Sequence, residues 1–387
     1  MKYAIIVPDG LGDWEIAELG NRTPLEAAET PNLDRLAKEG ILGTLQTAPP
    51  GMYPGSDVCG LSLMGYDPQI GYTGRAPLEA ASLGIELKEG EKVFRCNLVT
   101  AKGDLLEDYS AGHVTTEEAK ELIGAVQKKF GSKDFQFFPG KMYRHLLLCK
   151  KGNDFEVETA PPHDIQGQKF EPYLPKGKGA EIFKKMILDS HAVLENHPIN
   201  QKRAQEGKSK ANMIWFWGGG VRPQLEPFHQ KFKGIRSGVI SAVDLLQGLG
   251  RYLGWEVIQV PGATGYFDTD YDAKARYAIE ALKRLDLIFV HVEATDEAGH
   301  SGLPQEKKKA VERIDEAIVG PLADHLKRQG PYRLFVAPDH YTPCVKKTHI
   351  GDPVPFIFSA SDVKIKSGKT YTEANAKAAG IPYEKEH

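Results

Sequence analysis

The chain has 387 residues, which is longer than one small hydrophobic core usually requires and predicts two domains. Hydrophobic residues make up 41% and charged residues 26%, as in ordinary soluble globular proteins. A formal net charge of −3 gives no reason to expect a nucleic acid or an anionic membrane as a partner. The four cysteines are scattered without a Cys-x-x-Cys pair, so neither a disulfide framework nor a thiolate zinc site is predicted.

The first apolar run, residues 3–7, is predicted to be a buried strand, because five residues are too few for a signal peptide. No stretch approaches the roughly 18 apolar residues of a membrane helix, and a cytoplasmic protein is expected. Asp9 directly follows this strand, and Gly10 allows another group to approach closely. Asp9 is therefore either a turn residue or a site carboxylate at the end of a strand.

Ser56 lies near the end of a loop rich in proline and glycine, residues 49–57, directly before a predicted helix over residues 58–64. A serine at a helix N-terminus is often only a cap, but the free N–H groups and the helix dipole there also favour an anion. A metal ion could turn such a serine into a nucleophile. The surrounding residues are neither the Gly-x-Ser-x-Gly elbow nor the Cys-x-Pro-x-Arg of sulfatases.

The pattern changes between residues 90 and 180, where strand-like runs surround a single helix. That helix is predicted over residues 116–130, opened by the capping box of Thr115 and Glu118. We interpret residues 93–180 as a small α+β domain inserted into a larger α/β core formed by residues 1–92 and 181–387.

Several basic side chains in this part of the chain are either ordinary surface residues or parts of an anion-binding face. Arg75 precedes the insertion in a glycine-flanked turn, where a guanidinium suits bidentate capture of a phosphate or carboxylate. The insertion itself contains Arg95, Arg144 and His163. A basic stretch at residues 202–210 is predicted to be a solvated face.

From residue 213 onward predicted strands and helices alternate, which is typical of a doubly wound, mostly parallel sheet covered on both faces. The strand at residues 287–292 leads to Asp296 and His300, which lie four residues apart and share one face of a helical turn. The strand at residues 334–337 leads to Asp339 and His340, and His349 follows nine residues later. Carboxylates and imidazoles are suitable ligands for zinc- or manganese-type ions.

These candidates all follow predicted strands or begin a helix, and such positions converge on one edge of a doubly wound sheet. Together they offer enough oxygen and nitrogen ligands for two metal ions that share a nucleophile, an arrangement suited to phosphoryl transfer. The set comprises Asp9, Ser56, Asp296, His300, Asp339, His340 and His349.

Several motifs in this order resemble the archaeal-type cofactor-independent phosphoglycerate mutases of the alkaline phosphatase superfamily. The motifs are Pro-Asp-Gly (8–10), Pro-Gly-Ser-Asp (54–57), Gly-Tyr-Asp-Pro (65–68), Tyr-Thr-Gly-Arg-Ala-Pro-Leu-Glu-Ala (72–80), Arg-Cys-Asn (95–97), Asp-Glu-Ala-Gly-His (296–300), Asp-His-x-Thr-Pro-Cys (339–344) and His-x-Gly-Asp-Pro-Val-Pro (349–355). The resemblance covers nearly the whole chain.

The resemblance implies a phosphatase-like core, a smaller inserted lid domain, and a glycolytic or gluconeogenic enzyme that interconverts 3- and 2-phosphoglycerate without bisphosphoglycerate. It implies two divalent ions, usually manganese with zinc, magnesium or cobalt as alternatives, and a phosphoserine intermediate whose hydrolysis is prevented by closure of the lid.

Carried over by position, the resemblance implies specific roles for the candidate residues. Ser56 would be the nucleophile, and one ion would be held by Asp9, Ser56, Asp339 and His340. The other ion would be held by Asp296, His300 and His349. The phosphate and carboxylate of the substrate would be bound by Arg75, Arg95, Arg144 and His163. The chain departs from the family pattern at Gln247, where a lysine is common.

Three other functions remain open from the sequence. The stretches at residues 108–113, 143–145 and 161–164 are closer to a bacterial branch proposed to act as homoserine kinases, although the chain has no Gly-x-x-x-x-Gly-Lys-[Ser/Thr] loop for ATP. A simple phosphomonoesterase would keep the metals and Ser56 but would have little use for a lid that excludes water. A metal-stabilised binding protein would require Ser56 to be only a helix cap.

Overall fold

A computed structural model describes residues 1–379 and 382–383 of the chain, which forms two compact units. The first unit comprises Met1–Tyr72 and Gln224–His387, and the second unit is Thr73–Pro223. The second unit extends further at both ends than the predicted insertion at residues 93–180. The chain therefore leaves the first unit and returns to it once.

The strands are numbered here in chain order. They are β1 (Lys2–Pro8), β2 (Ile41–Leu45), β3 (Lys92–Lys102), β4 (Leu105–Asp108), β5 (Phe135–Phe138), β6 (Arg144–Cys149), β7 (Glu156–Glu158), β8 (Lys176–Lys178), β9 (Met213–Val221), β10 (Ser237–Ile240), β11 (Glu256–Val257), β12 (Leu287–Val292), β13 (Tyr332–Val336), β14 (Val354–Ala360) and β15 (Pro382–Tyr383).

The α-helices are numbered in the same way. They are α1 (Pro24–Ala27), α2 (Pro31–Glu39), α3 (Ser56–Leu63), α4 (Pro68–Gly71), α5 (Arg75–Ser82), α6 (Thr116–Phe130), α7 (Ala180–Leu194), α8 (Pro198–Gln205), α9 (Phe228–Lys231), α10 (Asp244–Tyr252), α11 (Tyr271–Ala281), α12 (Ala294–Ser301), α13 (Pro304–Ile314), α14 (Gly320–Gln329) and α15 (Glu373–Ala378).

The larger sheet belongs to the first unit and has the strand order β11-β10-β12-β1-β13-β14-β2-β15. Five of its pairings are parallel, and β14 alone runs antiparallel to both of its neighbours, β13 and β2. The central strand β12 is buried along its whole length and its neighbour β1 is mostly apolar and buried in its second half, as expected for a parallel sheet covered on both faces. The predicted α/β class with a doubly wound, mostly parallel sheet is confirmed.

The smaller sheet belongs to the second unit and is antiparallel, with β4, β3, β6 and β5 in order and β9 on the other side of β3. We expected the strand at residue 213 to begin the β/α alternation of the core, and this was wrong. β9 pairs with β3 along most of its length, so it completes the smaller sheet instead. An apolar run predicts a strand but does not identify its partner, which accounts for both this error and the shifted boundary.

Local sequence patterns predicted some elements more accurately than others. Helix α6 begins and ends where predicted, and the capping box of Thr115 and Glu118 is present. Helices α13 and α14 are joined by a π-helical segment at Asp315–Val319. The basic stretch at residues 202–210 is not wholly solvated, because Arg203 is buried and pairs with Glu118. Among the residues that the structure describes, no helix has the length and apolar character needed to cross a membrane.

Candidate active site

The first group of site residues lies in the first unit, at the carboxyl ends of two adjacent parallel strands. Asp9 follows β1, while Asp339 and His340 follow β13, and all three are buried. The Nε2 atom of His340 lies 3.4 Å from Asp9 Oδ1 and 3.4 Å from Asp339 Oδ2. Ser56, the first residue of α3, places its Oγ 3.3 Å from His340 Nε2 and 3.5 Å from Asp9 Oδ1. The structure thus brings the serine, two carboxylates and an imidazole to one point.

The second group consists of Asp296 and His300, one turn apart on α12, and His349 from the loop before β14. His300 Nε2 lies 3.2 Å from Asp296 Oδ2, and His349 Nε2 lies 3.4 Å from Asp296 Oδ1. The two Nε2 atoms are only 2.9 Å apart. Nδ1 of His300 lies 3.0 Å from the carbonyl oxygen of Lys347 and donates to it, which leaves Nε2 to face Asp296 and His349.

The two groups adjoin each other. The rings of His340 and His349 stack with their centroids 3.8 Å apart and their planes inclined by 25°. Gly10 lies between the groups with φ of +58°, and a Cβ atom there would come within 2.4 Å of Asp296 Oδ1. The backbone N–H groups of Gly10 and His340 both donate to Asp339 Oδ1 at 3.0 Å. The other oxygen of Asp339 is thereby left to face His340.

The local electrostatics are those of crowded buried acids. Burial, together with the charges of Asp339 and Asp296, raises the pKa of Asp9 well above its usual value. Burial lowers the pKa of His340 to about 4, so this imidazole is neutral near pH 7. Burial alone would raise the pKa of Asp296, but hydrogen bonds from His300 and His349 hold it well below its usual value. Three carboxylates held this close together are stabilised by positive charge between them.

The residues fit the divalent ions implied by the fold. Each group supplies three ligand atoms, a carboxylate–carboxylate–imidazole set and a carboxylate–imidazole–imidazole set, within 4.8 Å of one another. Asp339 Oδ2 and His349 Nδ1 are buried without a hydrogen-bond partner among the described residues. Mixed oxygen and nitrogen ligands of this kind suit Zn²⁺, Mn²⁺ and similar ions.

A buried network behind the first group was missed by the sequence analysis. His291, in β12, places Nε2 3.2 Å from Asp9 Oδ2 and 3.9 Å from Asp339 Oδ2, while its Nδ1 lies 3.2 Å from Glu293 Oε1. Glu293 in turn pairs with Lys274 at 2.6 Å, and Lys274 is completely buried. A histidine inside an apolar strand, with a glutamate directly after the strand, was the available signal, since buried polar residues need partners.

Gln247, which stands where a lysine is common in the family, has a structural role of its own. Its Nε2 donates to the carbonyl oxygen of Ser241 at 2.8 Å, and the hydroxyl of Ser241 in turn donates to Glu293 at 3.1 Å. Gln247 therefore supports the loop that carries Ser241.

The predicted substrate-binding residues all lie in the second unit. Arg95, in β3, pairs with Glu79, and its guanidinium carbon stands 4.4 Å above the ring of Trp217. The ring of His163 packs edge-on against Trp217, with 5.2 Å between centroids. Burial and the positive charges of Arg75 and Arg95 lower the pKa of His163, although Asp164 opposes this shift. Arg95 and His163 thus both pack against Trp217, and Arg75 is near enough for its charge to act on His163.

Arg144 stands at the start of β6 opposite Asn97 of β3 and next to Tyr143. The Tyr143 ring packs edge-on against Tyr109, which also packs edge-on against His163. The aromatic residues Trp217, Tyr109 and Tyr143 had not been singled out from the sequence. The binding role of the four basic residues stays a prediction.

Comparison with known proteins identifies the family. Residues 37–200 match the family described as 2,3-bisphosphoglycerate-independent phosphoglycerate mutase, and residues 168–387 match the family described as type I phosphodiesterase / nucleotide pyrophosphatase. A 2,3-bisphosphoglycerate-independent phosphoglycerate mutase of Methanosarcina barkeri is 48% identical over 383 residues, covering 98% of this chain and 96% of the relative.

Two solved structures are similar along nearly the whole chain. A Pyrococcus horikoshii protein matches with a TM-score of 0.83 and 32% identity, covering 98% of this chain and 93% of the other. The cofactor-independent phosphoglycerate mutase of Thermoplasma acidophilum matches with a TM-score of 0.67 and 28% identity, covering 98% and 96%. The chain belongs to the family of 2,3-bisphosphoglycerate-independent phosphoglycerate mutases.

Proposed function

We propose that this protein interconverts 3-phosphoglycerate and 2-phosphoglycerate through a phosphoserine at Ser56. The supporting observation is the position of the Ser56 hydroxyl, 3.3 Å from His340 Nε2 and 3.5 Å from Asp9 Oδ1, at the first residue of a helix. The N-cap residue of this helix is Gly55, and the Ser56 hydroxyl is directed to Asp9 and His340. The serine is therefore available for chemistry.

Two divalent ions, most suitably Mn²⁺, would be held by the two groups of ligands and would supply Lewis-acid stabilisation of the developing oxygen charges. We assign Asp9, Ser56, Asp339 and His340 to one site and Asp296, His300 and His349 to the other. Ser56 is the first residue of α3, so the free backbone N–H groups and the positive end of the helix dipole would favour an anion beside it. These groups would orient the phosphoryl group for in-line transfer.

The proposed reaction consists of two transfers. Ser56 Oγ first forms a bond to phosphorus as the bond from phosphorus to the substrate's 3-oxygen breaks, and the serine proton ends on that oxygen. The 2-hydroxyl of the same glycerate then takes the phosphoryl group and returns a proton to Ser56. The Asp9 carboxylate accepts a hydrogen bond from the Ser56 hydroxyl at 3.5 Å, so it is placed to relay the proton between the serine and the substrate oxygen within each transfer.

A mutase must retain glycerate between the two transfers, whereas a phosphatase releases it. We propose that four basic side chains of the second unit bind the carboxylate and phosphate of the substrate: Arg75, Arg95, Arg144 and His163. Glu79 neutralises part of Arg95, but the Nε of Arg95 has no hydrogen-bond partner in the described part of the chain. A guanidinium fixed by one carboxylate and resting on an aromatic ring is ordered in advance for a second anion.

The test is a coupled assay on purified protein reconstituted with Mn²⁺. Supplying 3-phosphoglycerate without bisphosphoglycerate should yield 2-phosphoglycerate with little inorganic phosphate. Homoserine with ATP should yield no phosphohomoserine. Release of phosphate alone would indicate a phosphomonoesterase, and formation of phosphohomoserine would indicate a kinase. Either result without 2-phosphoglycerate would contradict the proposal.

The matched variants are two serines of the same helix. Ser56→Ala should remove turnover while the protein stays folded. Ser62→Ala should keep turnover, because Ser62 Oγ is buried without a hydrogen-bond partner among the described residues. Full activity of Ser56→Ala would exclude the phosphoserine.

We further propose a cytoplasmic location, which suits a metabolic substrate and four free, buried cysteines.

A further inference from the structure

A single buried hydroxyl connects the two groups of cation ligands. Thr342 lies two residues after His340 and has no solvent-exposed surface. Its Oγ1 is 3.2 Å from His340 Nδ1, which belongs to the first group, and it donates a hydrogen bond to Asp296 Oδ1, which belongs to the second. Thr342 is not among the ligands assigned above.

The direction of both hydrogen bonds follows from the chemistry of the three groups. The Asp296 carboxylate only accepts, so the one proton of the Thr342 hydroxyl points to Asp296. The hydroxyl then has only lone pairs left for His340, so Nδ1 of His340 must carry a proton and donate it. In a neutral imidazole this leaves the lone pair on Nε2, which is the atom 3.3 Å from Ser56 Oγ and 3.4 Å from Asp9 Oδ1.

The backbone around Thr342 is built to hold this hydroxyl in place. Its N–H donates to the carbonyl oxygen of Gly12 at 3.2 Å, and its own carbonyl oxygen accepts from the buried Lys307 at 2.9 Å. Gly299 on α12 packs against it so closely that a Cβ there would come within 2.8 Å of the Thr342 methyl carbon. Gly10 leaves the space for the hydroxyl, since a Cβ there would lie 2.5 Å from Thr342 Oγ1. The backbone N–H and carbonyl of Thr342, and the methyl and hydroxyl groups of its side chain, are thus all held in place.

We propose that Thr342 is a positioning residue that couples the two cation sites, because its hydroxyl holds His340 in the metal-binding tautomer only while Asp296 keeps its ligand orientation. A cation at the second site holds Asp296 in that orientation and so favours binding at the first site. If Asp296 turns away, the hydroxyl can rotate to donate to His340, and the favoured tautomer is lost. This inference rests on the cation sites of the proposed function and adds a coupling between them.

The test is a Mn²⁺ titration of the metal-stripped protein by calorimetry, with low-temperature electron paramagnetic resonance of the same samples. The wild-type protein should bind two equivalents with positive cooperativity and show the spectrum of a spin-coupled Mn²⁺ pair. Thr342→Val keeps the shape but removes the hydroxyl, and it should weaken at least one equivalent by about 10–100-fold and lose the coupled signal. Thr342→Ser keeps the hydroxyl and should bind within about threefold of wild type, a difference of roughly 0.7 kcal/mol.

The control is Thr47→Val, which removes another buried hydroxyl that donates at 2.6 Å to the main-chain carbonyl of Asp339. It should cost stability without removing cooperativity or the coupled signal. Unchanged Mn²⁺ binding in Thr342→Val would overturn the proposal. It would also be overturned if Thr342→Ser lost binding, since packing of the methyl group would then be responsible. Both results would leave the mutase proposal standing, whereas a wild-type protein that bound no Mn²⁺ would overturn both.

Discussion

The buried ion pair of Lys274 and Glu293 gives a prediction about how the site is supported. Lys274 Nζ lies 2.6 Å from Glu293 Oε2 and 2.9 Å from the carbonyl oxygen of His291, and neither side chain is more than 3% exposed. Lys274→Met removes the cation with little change in shape and leaves a buried carboxylate without its main partner.

The expected cost follows from the burial of the pair. Breaking a buried pair from one side typically costs about 3–5 kcal/mol, because the remaining charge is uncompensated. For a unit of about 150–250 residues, this corresponds to a decrease in Tm of roughly 6–20 °C. The exposed pair of Lys283 and Glu280 provides the control, since Lys283→Met should cost less than about 0.5 kcal/mol.

The assay is urea denaturation of metal-free protein, followed by circular dichroism, for the wild type and each variant. The double variant Lys274→Met with Glu293→Gln removes the stranded charge and should recover at least half of the loss. A loss below about 1 kcal/mol for Lys274→Met would refute the reasoning. The reasoning would also be refuted if the double variant were less stable than Lys274→Met alone.

Three further predictions concern other parts of the chain. Arg203→Met should destabilise the second unit by about 2–4 kcal/mol in urea denaturation, because the buried guanidinium binds Glu118 and three backbone carbonyls, and an unchanged midpoint would contradict this. Burial raises the pKa of Glu373 to about 7, so the folded state binds an extra proton between pH 4.5 and 7 and stability falls as the pH rises through this range. Glu373→Gln should flatten that dependence and be about 1–3 kcal/mol more stable than wild type at pH 8, as measured by Tm against pH; an unaltered slope would show that another group titrates. Removing the divalent ions with a chelator should abolish turnover and lower the Tm, and about 100 Kd of Mn²⁺ should restore roughly 2.7 kcal/mol; indifference to the chelator would contradict the cation sites.

Much of the candidate site could be predicted because its residues occupy positions with a simple geometric meaning. Asp9 and Asp339 each follow an apolar run, and parallel strands bring their carboxyl ends to one edge of the sheet. Asp296 and His300 are four residues apart on a helix, and this spacing alone places them on one face. These rules use only local sequence and the assumption of a parallel sheet.

The remaining features depend on partners that are distant in sequence. Lys274, Lys307 and Arg203 look like surface residues in the sequence, and each is buried because its partners come from another element. Thr342 is a common loop residue whose importance appears only when Asp296 and His340 are seen on either side of it. Periodicity and spacing do not encode such contacts.

The phosphoserine itself can be observed directly. The Mn²⁺-loaded protein would be mixed with 3-phosphoglycerate, quenched in acid within a few turnovers, digested and analysed by mass spectrometry. The peptide that contains Ser56 should carry one phosphate on that serine, and Ser62 should remain unmodified. Formation of 2-phosphoglycerate with no phosphate on Ser56, or with the phosphate on another residue, would contradict the proposed mechanism.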